Sequence, residues 1–204
     1  VLERGGVVAA RYRVPRALGQ GAYGAVYEAK RLDGRGPGVA LKVMHGRLGR
    51  SKDATARFER EADLLSRLRH PALVQVLDYG ATDDRMPFIA FELLRGHNLE
   101  QELEYRGRLD LASAYAVMRQ VLAGLAAVHA AGIIHRDIKP ANIFLCSPRR
   151  QGGPLEAKLL DFGTARALTV EEGQRLTASG QMLGTPHYMA PEQVRGEPVD
   201  ARAD

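Results

Sequence analysis

Hydrophobic and polar positions alternate with strand period over the first part of the chain. Residues from Arg11 to Leu18 read as one strand, and Ala25-Val26-Tyr27-Glu28-Ala29 as a second. In the second, Val26 and Glu28 fall on one face and Ala25, Tyr27 and Ala29 on the other. Between them lies Gly19-Gln20-Gly21-Ala22-Tyr23-Gly24, so strand, glycine turn and strand form a hairpin. A third strand, Val39-Ala40-Leu41-Lys42-Val43-Met44, carries one charge. From Asp53 to Arg69 the period becomes helical, with Phe58, Leu65 and Leu68 as the stripe, Leu64 at its margin and Glu61 one turn before Leu65. Glu59 and Asp63 fall on the solvated side, and Pro71 stops the helix. Strands Leu73 to Tyr79 and Pro87 to Leu94 flank the turn Thr82-Asp83-Asp84-Arg85.

Around Arg95–Gly96 strand period gives way to helix period, which divides the chain at 12–95 and 96–204. A helix is expected near Asn98. A long one runs from Leu111 to Ala131, with Met118, Val121, Leu122, Leu125 and Val128 on one face and Gly132 at its C-terminal end. It leads into Ile134-His135-Arg136-Asp137-Ile138-Lys139-Pro140-Ala141-Asn142. Strands Ile143-Phe144-Leu145 and Ala157 to Leu160 follow, then Asp161-Phe162-Gly163. From Thr164 to Leu183 no core periodicity is visible, and Gly184-Thr185-Pro186 leads to Ala190-Pro191-Glu192. The fold class is α+β.

Composition changes this picture little. With 45% hydrophobic and 26% charged residues in 204, the chain is an ordinary globular sequence. A formal charge of +5 without a basic run or any tryptophan argues against a dedicated nucleic-acid surface. The charge suits an anionic nucleotide or acidic peptide equally well. A single cysteine, Cys146, excludes an internal disulfide framework and a Cys-based zinc cluster. The apolar stretch Val121 to Ile134 is short for a bilayer and includes His129, so no membrane segment is expected. No signal-like segment precedes the first motif, and the expected compartment is the cytoplasm.

Candidate chemistry converges on the segment from His135 to Asn142. Pro140 forbids an uninterrupted helix or central strand there, and the apolar flanks tie the segment to a core. Asp137 can accept a proton, Lys139 can neutralise a transferring phosphoryl group, and Asn142 can offer an oxygen to a metal ion. That set suits phosphoryl transfer, where positioning and electrostatics dominate. A solvated surface turn also carries such charges. The glycine turn has two readings as well, since glycines let backbone amides approach phosphates but hairpin turns use them anyway. Lys42 is either a snorkelling edge lysine or an inward ammonium, and an inward one needs a carboxylate. Glu61 on the helix is the available partner.

Taken together and in order, these pieces resemble the protein kinase family, most closely its bacterial Ser/Thr members of the Hanks type, from about Tyr12 to Asp204. The motifs are the glycine loop Leu18 to Val26, Val39-Ala40-Leu41-Lys42, Glu61, His135-Arg136-Asp137 with Lys139 and Asn142, Asp161-Phe162-Gly163 and Ala190-Pro191-Glu192. The resemblance implies a bilobal fold: an N-lobe of antiparallel sheet plus one helix, and a mainly helical C-lobe that is incomplete here. It implies a kinase transferring the ATP γ-phosphoryl group to Ser/Thr hydroxyls of proteins, itself included in trans, with Mg2+.

By the same resemblance Leu18, Gly19, Gln20, Gly21, Ala22, Tyr23, Gly24, Ala25 and Val26 cover the nucleotide. Lys42 holds its phosphates while paired with Glu61. Val26, Ala40 and Phe144 sandwich adenine, Glu92 to Leu94 form the hinge that reads the base edge, and Asn98 falls at a ribose contact. Asp137 orients the acceptor hydroxyl and takes its proton, Lys139 steadies the γ-phosphate, and Asn142 and Asp161 hold magnesium.

Lys139 and Thr185 match the Ser/Thr-specific form. Arg136 implies activation-loop control, with Thr177 or Ser179 as phosphorylation sites. Thr164 stands where an aliphatic residue is usual, and Phe91 is bulky enough to close any deeper cavity behind adenine. In the family the stretch Asp200 to Asp204 begins a central buried helix that supports the catalytic loop from below. The whole protein is therefore expected to continue, and to be cytoplasmic or the cytoplasmic part of a membrane-anchored kinase. Two other classes use related parts: a nucleotide-binding pseudokinase, which usually lacks an equivalent of Lys42, Asp137 or Asp161, and a small-molecule phosphotransferase. Retention of all three residues argues against the first, and Ala190-Pro191-Glu192 against the second.

Overall fold

The computed structural model describes residues 5–21, 24–44, 52–147, 155–161 and 186–204. The chain forms two compact units. The first takes the described residues up to Arg67 together with Gln75–Leu93, and the second takes Leu68–Val74 and the described residues from Leu94 onward.

The first unit is a six-stranded antiparallel sheet with one helix. Its strands are β1 (Val7–Val8), β2 (Tyr12–Gly21), β3 (Gly24–Arg31), β4 (Val39–Met44), β5 (Val76–Ala81) and β6 (Pro87–Glu92), in the order β1-β2-β3-β4-β6-β5. Ala25, Tyr27 and Ala29 of β3 are buried with Val39, Leu41 and Val43 of β4, Phe88 and Ala90 of β6, and Val8, Tyr12 and Val14. The alternation read from the sequence is thus realised, with every second residue facing one apolar core.

Polar links join the first strands to β5. The Tyr12 hydroxyl donates to Asp78 Oδ2 at 2.6 Å, and Arg11 Nη1 reaches both Asp78 oxygens at 2.8 Å. The Arg11 guanidinium also lies 5.1 Å from the centre of the Phe88 ring. Burial, reinforced by the Asp78 carboxylate, pushes the Tyr12 phenol well above its usual range.

Helix α1 (Lys52–Arg67) buries Phe58, Ala62 and Leu65. The expected stripe member Leu68 lies beyond the helix end, and Ala62, at i+4 from Phe58, takes its place. Leu64 is exposed. Asp63, expected to be solvated, is half-buried, accepting from the Tyr79 hydroxyl at 3.4 Å and pairing with Arg67 at 2.6 Å.

The second unit begins with Leu68–Val74. The strand expected from Leu73 starts only at Val76, because Leu73 pairs instead with Leu159 in parallel. Val74 N donates to Leu159 O at 3.0 Å, and Leu159 N to Ala72 O at 2.8 Å. Those bonds attach the segment to the second unit. A three-stranded sheet follows, β7 (Gly96–Asn98), β8 (Ile143–Cys146) and β9 (Glu156–Leu159), in the order β7-β8-β9. Helix α2 (Leu99–Arg106) starts at Asn98, whose Oδ1 accepts from Gln101 N at 2.8 Å while the Gln101 side chain accepts from Asn98 N.

Helix α3 (Leu111–Ala130) is capped by Asp110, which accepts from Ser113 N at 2.8 Å. Gly132 follows with φ 74°, the left-handed turn that glycine takes without Cβ strain. The buried face is Val117, Val121, Gly124, Leu125 and Val128. Met118 and Leu122, expected on it, are 45% and 59% exposed. The face is centred one position earlier because Gln120 docks on β9, its Nε2 donating to Leu155 O at 2.9 Å and its Oε1 accepting from Ala157 N at 3.0 Å. Among the described residues α3 is the one helix long and apolar enough to cross a membrane, so the apolar stretch begins well before Val121. Only its β9-facing side is buried, and Leu111, Tyr115, Met118 and Leu122 on the rest of the helix are exposed.

Candidate active site

In the first unit, sheet register decides which side chains share a face. Val26 pairs with Lys42 and Glu28 with Ala40, so Val26, Ala40 and Lys42 lie on one side, opposite the apolar core. Lys42 also pairs with Ile89, and Ile89 with Tyr79, whose hydroxyl reaches Asp63 of α1. Lys42 therefore stands on the face that carries α1, the helix bearing Glu61. Strand β4 lies between β3 and β6, and Lys42 is only 8% exposed. A snorkelling edge lysine is excluded on both counts, and the inward reading remains. Glu61 is half-buried beside Phe58 and Ala62. Phe91 is buried opposite Ala40 and Val76.

The glycines of the hairpin divide into two kinds. A Cβ on Gly24 would lie 2.3 Å from Val43 O, so close approach of β4 alone demands glycine there. Gly19 has nothing within 4 Å of a Cβ, and for Gly21 the nearest atom is Gly24 O at 4.0 Å. Neither has a positive φ. Among the described residues nothing crowds a side chain at either position, whereas a phosphate lying over their amides would. Leu18 and Gln20 are exposed and Ala25 is buried. Ala22 and Tyr23 lie outside the described residues. At the end of β6, Glu92 accepts from Gln75 N through Oε1 at 2.9 Å, and its own N–H donates to Gln75 O.

In the second unit the segment 135–142 is held by its backbone. His135 is fully buried, and its Nε2 donates to Leu160 O at 2.8 Å. A carbonyl can only accept, so Nδ1 is the bare nitrogen that accepts from Asp137 N at 3.3 Å. Burial holds the imidazole pKa below its ordinary value, which agrees with this neutral form. Asp204, its side chain fully buried, accepts from His135 N at 2.7 Å, Arg136 N at 2.6 Å and His129 Nε2 at 2.8 Å. Arg136 takes φ 66°, a left-handed conformation that costs a non-glycine residue about 1 kcal/mol or more. The three hydrogen bonds to Asp204 offset that strain.

Asp137 is thereby presented with its carboxylate half-exposed. Lys139 Nζ lies 3.0 Å from Oδ2, and Asn142 Nδ2 donates to the same oxygen at 2.8 Å and to Asp137 O at 2.7 Å. Oδ1 takes no hydrogen bond from the described residues and is left for an incoming donor. A carboxylate and a carbonyl both fix the Asn142 amide with nitrogen toward Asp137, so its oxygen points elsewhere. Asn142 precedes β8 and Asp161 follows β9 at the same end of that hairpin, where Leu160 N donates to Asn142 O at 2.9 Å. Asp161 also takes a left-handed φ, 53°. An amide oxygen and a carboxylate make a hard oxygen pair suited to Mg2+, which keeps waters and substrate phosphates as its other ligands. Among the described residues no cluster of three or more His, Cys, Asp or Glu could replace that pair.

The remaining sequence candidates are placed more loosely. Phe144 is half-buried in the middle strand, opposite Asn98 and Lys158, and Leu94 is half-buried. Asn98 caps α2 through its Oδ1. Phe162, Gly163, Thr164, Thr177, Ser179 and Thr185 lie outside the described residues. Sequence reasoning gave no role to the Asp204 carboxylate or to Gln193. Gln193 sits third in helix α4 (Pro191–Arg195) and is 4% exposed. A polar residue in a helix's first turn is an ordinary surface pattern, so nothing signalled it.

The protein kinase domain model matches residues 12–204. The chain is 41% identical over 201 residues to serine/threonine-protein kinase pkn3 of Myxococcus xanthus, covering 98% of itself and 36% of that protein. It is 40% identical over 196 residues to PknL of Mycobacterium tuberculosis, covering 95% of itself and 46% of PknL. It thus spans about a third to a half of these curated relatives. Among solved structures, the Mycobacterium tuberculosis PknI kinase domain superposes with a TM-score of 0.77 at 30% identity, over 100% of this chain and 73% of that one. Rad53 residues 1–466 in complex with AMP-PNP share the fold at a TM-score of 0.70 and 24% identity.

Proposed function

For this chain, which belongs to the protein kinase domain family, we propose that the protein carrying it is an ATP- and magnesium-dependent serine/threonine protein kinase. The family uses ATP with a divalent metal, and its curated relatives here are serine/threonine-protein kinases. The observation that carries the reading is the Asp137 carboxylate, gripped by Lys139 and Asn142 on one oxygen and left with the other for an acceptor.

In the proposed mechanism the amides of Gly19 to Gly24 cover the ATP phosphates, and Lys42, supported by Glu61, neutralises two of them. Val26, Ala40 and Phe144 bracket the adenine, and the backbone from Glu92 to Leu94 reads its edge. Asn142 Oδ1 and Asp161 would hold magnesium, which would offset the charge of the polyphosphate. Asp137 Oδ1 accepts a hydrogen bond from a Ser or Thr hydroxyl and aligns its oxygen with the γ-phosphorus. As that P–O bond forms and the β–γ bridging bond breaks, Asp137 takes the hydroxyl proton and ADP leaves. Lys139, beside Oδ2, counters charge on the transferring group. The acceptors are protein substrates, including a second copy of the kinase. Phosphate on Thr177 or Ser179 would give the Arg136 guanidinium an anion to bind, which is the proposed control. ATP supply places this work on the cytoplasmic side.

Transfer of labelled γ-phosphate from ATP to a basic generic protein, by the protein in its native full length, tests the proposal. Incorporation into Ser or Thr that requires magnesium and disappears with Asp137→Asn supports it. Tight nucleotide binding without transfer would mark a pseudokinase, and transfer only to a small hydroxyl compound would reassign the substrate class.

A further inference from the structure

The peptide unit between Arg136 and Asp137 is gripped from two sides. Its N–H, that of Asp137, donates to His135 Nδ1 at 3.3 Å, and its carbonyl, that of Arg136, accepts from Gln193 Nε2 at 3.0 Å. The preceding N–H, that of Arg136, is held by Asp204. Gln193 is buried, and its Oε1 accepts from Ala190 N at 3.0 Å, so one amide side chain satisfies two backbone groups 54 positions apart, residues 136 and 190. The plane of that peptide sets the direction of the Asp137 Cα–Cβ bond. Arg136 is left-handed there, a conformation that persists only where its surroundings over-determine it.

From this geometry we infer that Gln193 is a positioning residue for Asp137, fixing the catalytic peptide plane to the Ala190-Pro191-Glu192 segment. The inference rests on the kinase reading above and deepens it. Gln193 touches no reacting atom. It acts by holding the Arg136 carbonyl, and so the carboxylate one residue on. Any movement of the segment before α4 is transmitted through Ala190 N and the Gln193 amide to that carbonyl. An aliphatic side chain of similar length would fill the space but hold neither group. A glutamate would keep the acceptor for Ala190 N and lose the donor to Arg136 O, so the two substitutions separate the cap from the clamp.

The test compares Gln193→Glu and Gln193→Met with wild type in the full-length protein. Phosphate transfer and ATP affinity are measured together with amide hydrogen exchange followed by NMR. Both variants should lower kcat about tenfold, as expected for a misaimed catalytic group, with the KM for ATP within about twofold. Exchange at the Asp137 amide should quicken in both, while the core amides of β8 and β9 keep their protection. Unchanged Asp137 exchange in either variant, or kcat within twofold of wild type in both, overturns the inference. So does a loss of kcat accompanied by equal loosening of the whole second unit, because Gln193 would then be only a structural cap. If wild type itself transfers no phosphate, the kinase reading fails separately, and Asp137 exchange alone decides whether Gln193 holds that peptide.

Discussion

Asn142 donates its side-chain amide to Asp137 twice, to Oδ2 at 2.8 Å and to the main-chain carbonyl at 2.7 Å. One side chain thus fixes both the position and the rotamer of the carboxylate, and its own oxygen is turned away by the same bonds.

Asp137→Asn replaces the proposed proton acceptor with an amide that cannot take a proton. It should lower kcat about 10²–10⁴-fold, the usual contribution of a positioned general base, with nucleotide affinity unchanged within a few-fold. Steady-state kinetics with separate measurement of ATP binding checks this. Equal losses in both would assign Asp137 to ground-state binding instead.

The hairpin glycines should separate under substitution. Gly24→Ala forces a methyl against Val43 O and should cost about 1–3 kcal/mol, visible as a lower Tm. Among the described residues a methyl at Gly19 meets nothing within 4 Å and one at Gly21 only Gly24 O at 4.0 Å, so Gly19→Ala and Gly21→Ala should change stability by less than about 0.5 kcal/mol. They should nonetheless weaken ATP binding, because the new methyl occupies the approach to the amides. Thermal unfolding alongside nucleotide titration distinguishes the cases, and a Gly21→Ala protein with unaltered ATP affinity would remove phosphate binding from that position.

The neutral, buried His135 makes stability depend on pH. Its pKa is depressed in the fold, so the unfolded chain, with an ordinary value of 6.5, binds its proton first as pH falls. The contribution is complete above about pH 6.5 and is lost as pH falls through the folded-state pKa. The limiting slope is about 1.4 kcal/mol per pH unit for one proton. Denaturant unfolding between pH 7.5 and 5 should show stability declining on the acid side. His135→Phe should be less stable at neutral pH yet show a flatter decline, and identical slopes for the two proteins would rule His135 out as the cause.

Asp204→Asn retains the shape but not the acceptor capacity, since its amide nitrogen cannot accept from a backbone N–H. The substitution should cost about 1–3 kcal/mol, the penalty for leaving a buried donor unsatisfied. Amide exchange at His135 and Arg136 should rise with it. Retained protection at both amides would show that other groups hold the loop.

Local pattern made much of this legible. Period-two alternation in β3 and β4 placed the core face, and Pro140 with its charged neighbours marked the loop. The misreadings came where tertiary packing chose among similar options. Leu68 and Ala62 both suited the α1 stripe, and the length of the helix decided between them. Met118 and Leu122 gave way to Val117 and Gly124 because Gln120 docks on β9. Leu73 looked like the start of a strand but pairs with Leu159, which no local signal announces. Asp204 and Gln193 act on the loop through main-chain groups far away in sequence, and main-chain partners leave no residue pattern to read.

That distance bears on how the protein is made. Asp204 reaches His135 and Arg136 across 69 and 68 positions, and Gln193 reaches Arg136 across 57. During synthesis the first unit can close on itself while the segment around Asp137 is still without its supports. The supports of this loop therefore emerge well after the loop itself, and a nascent chain completes its first unit before Asp137 is fixed.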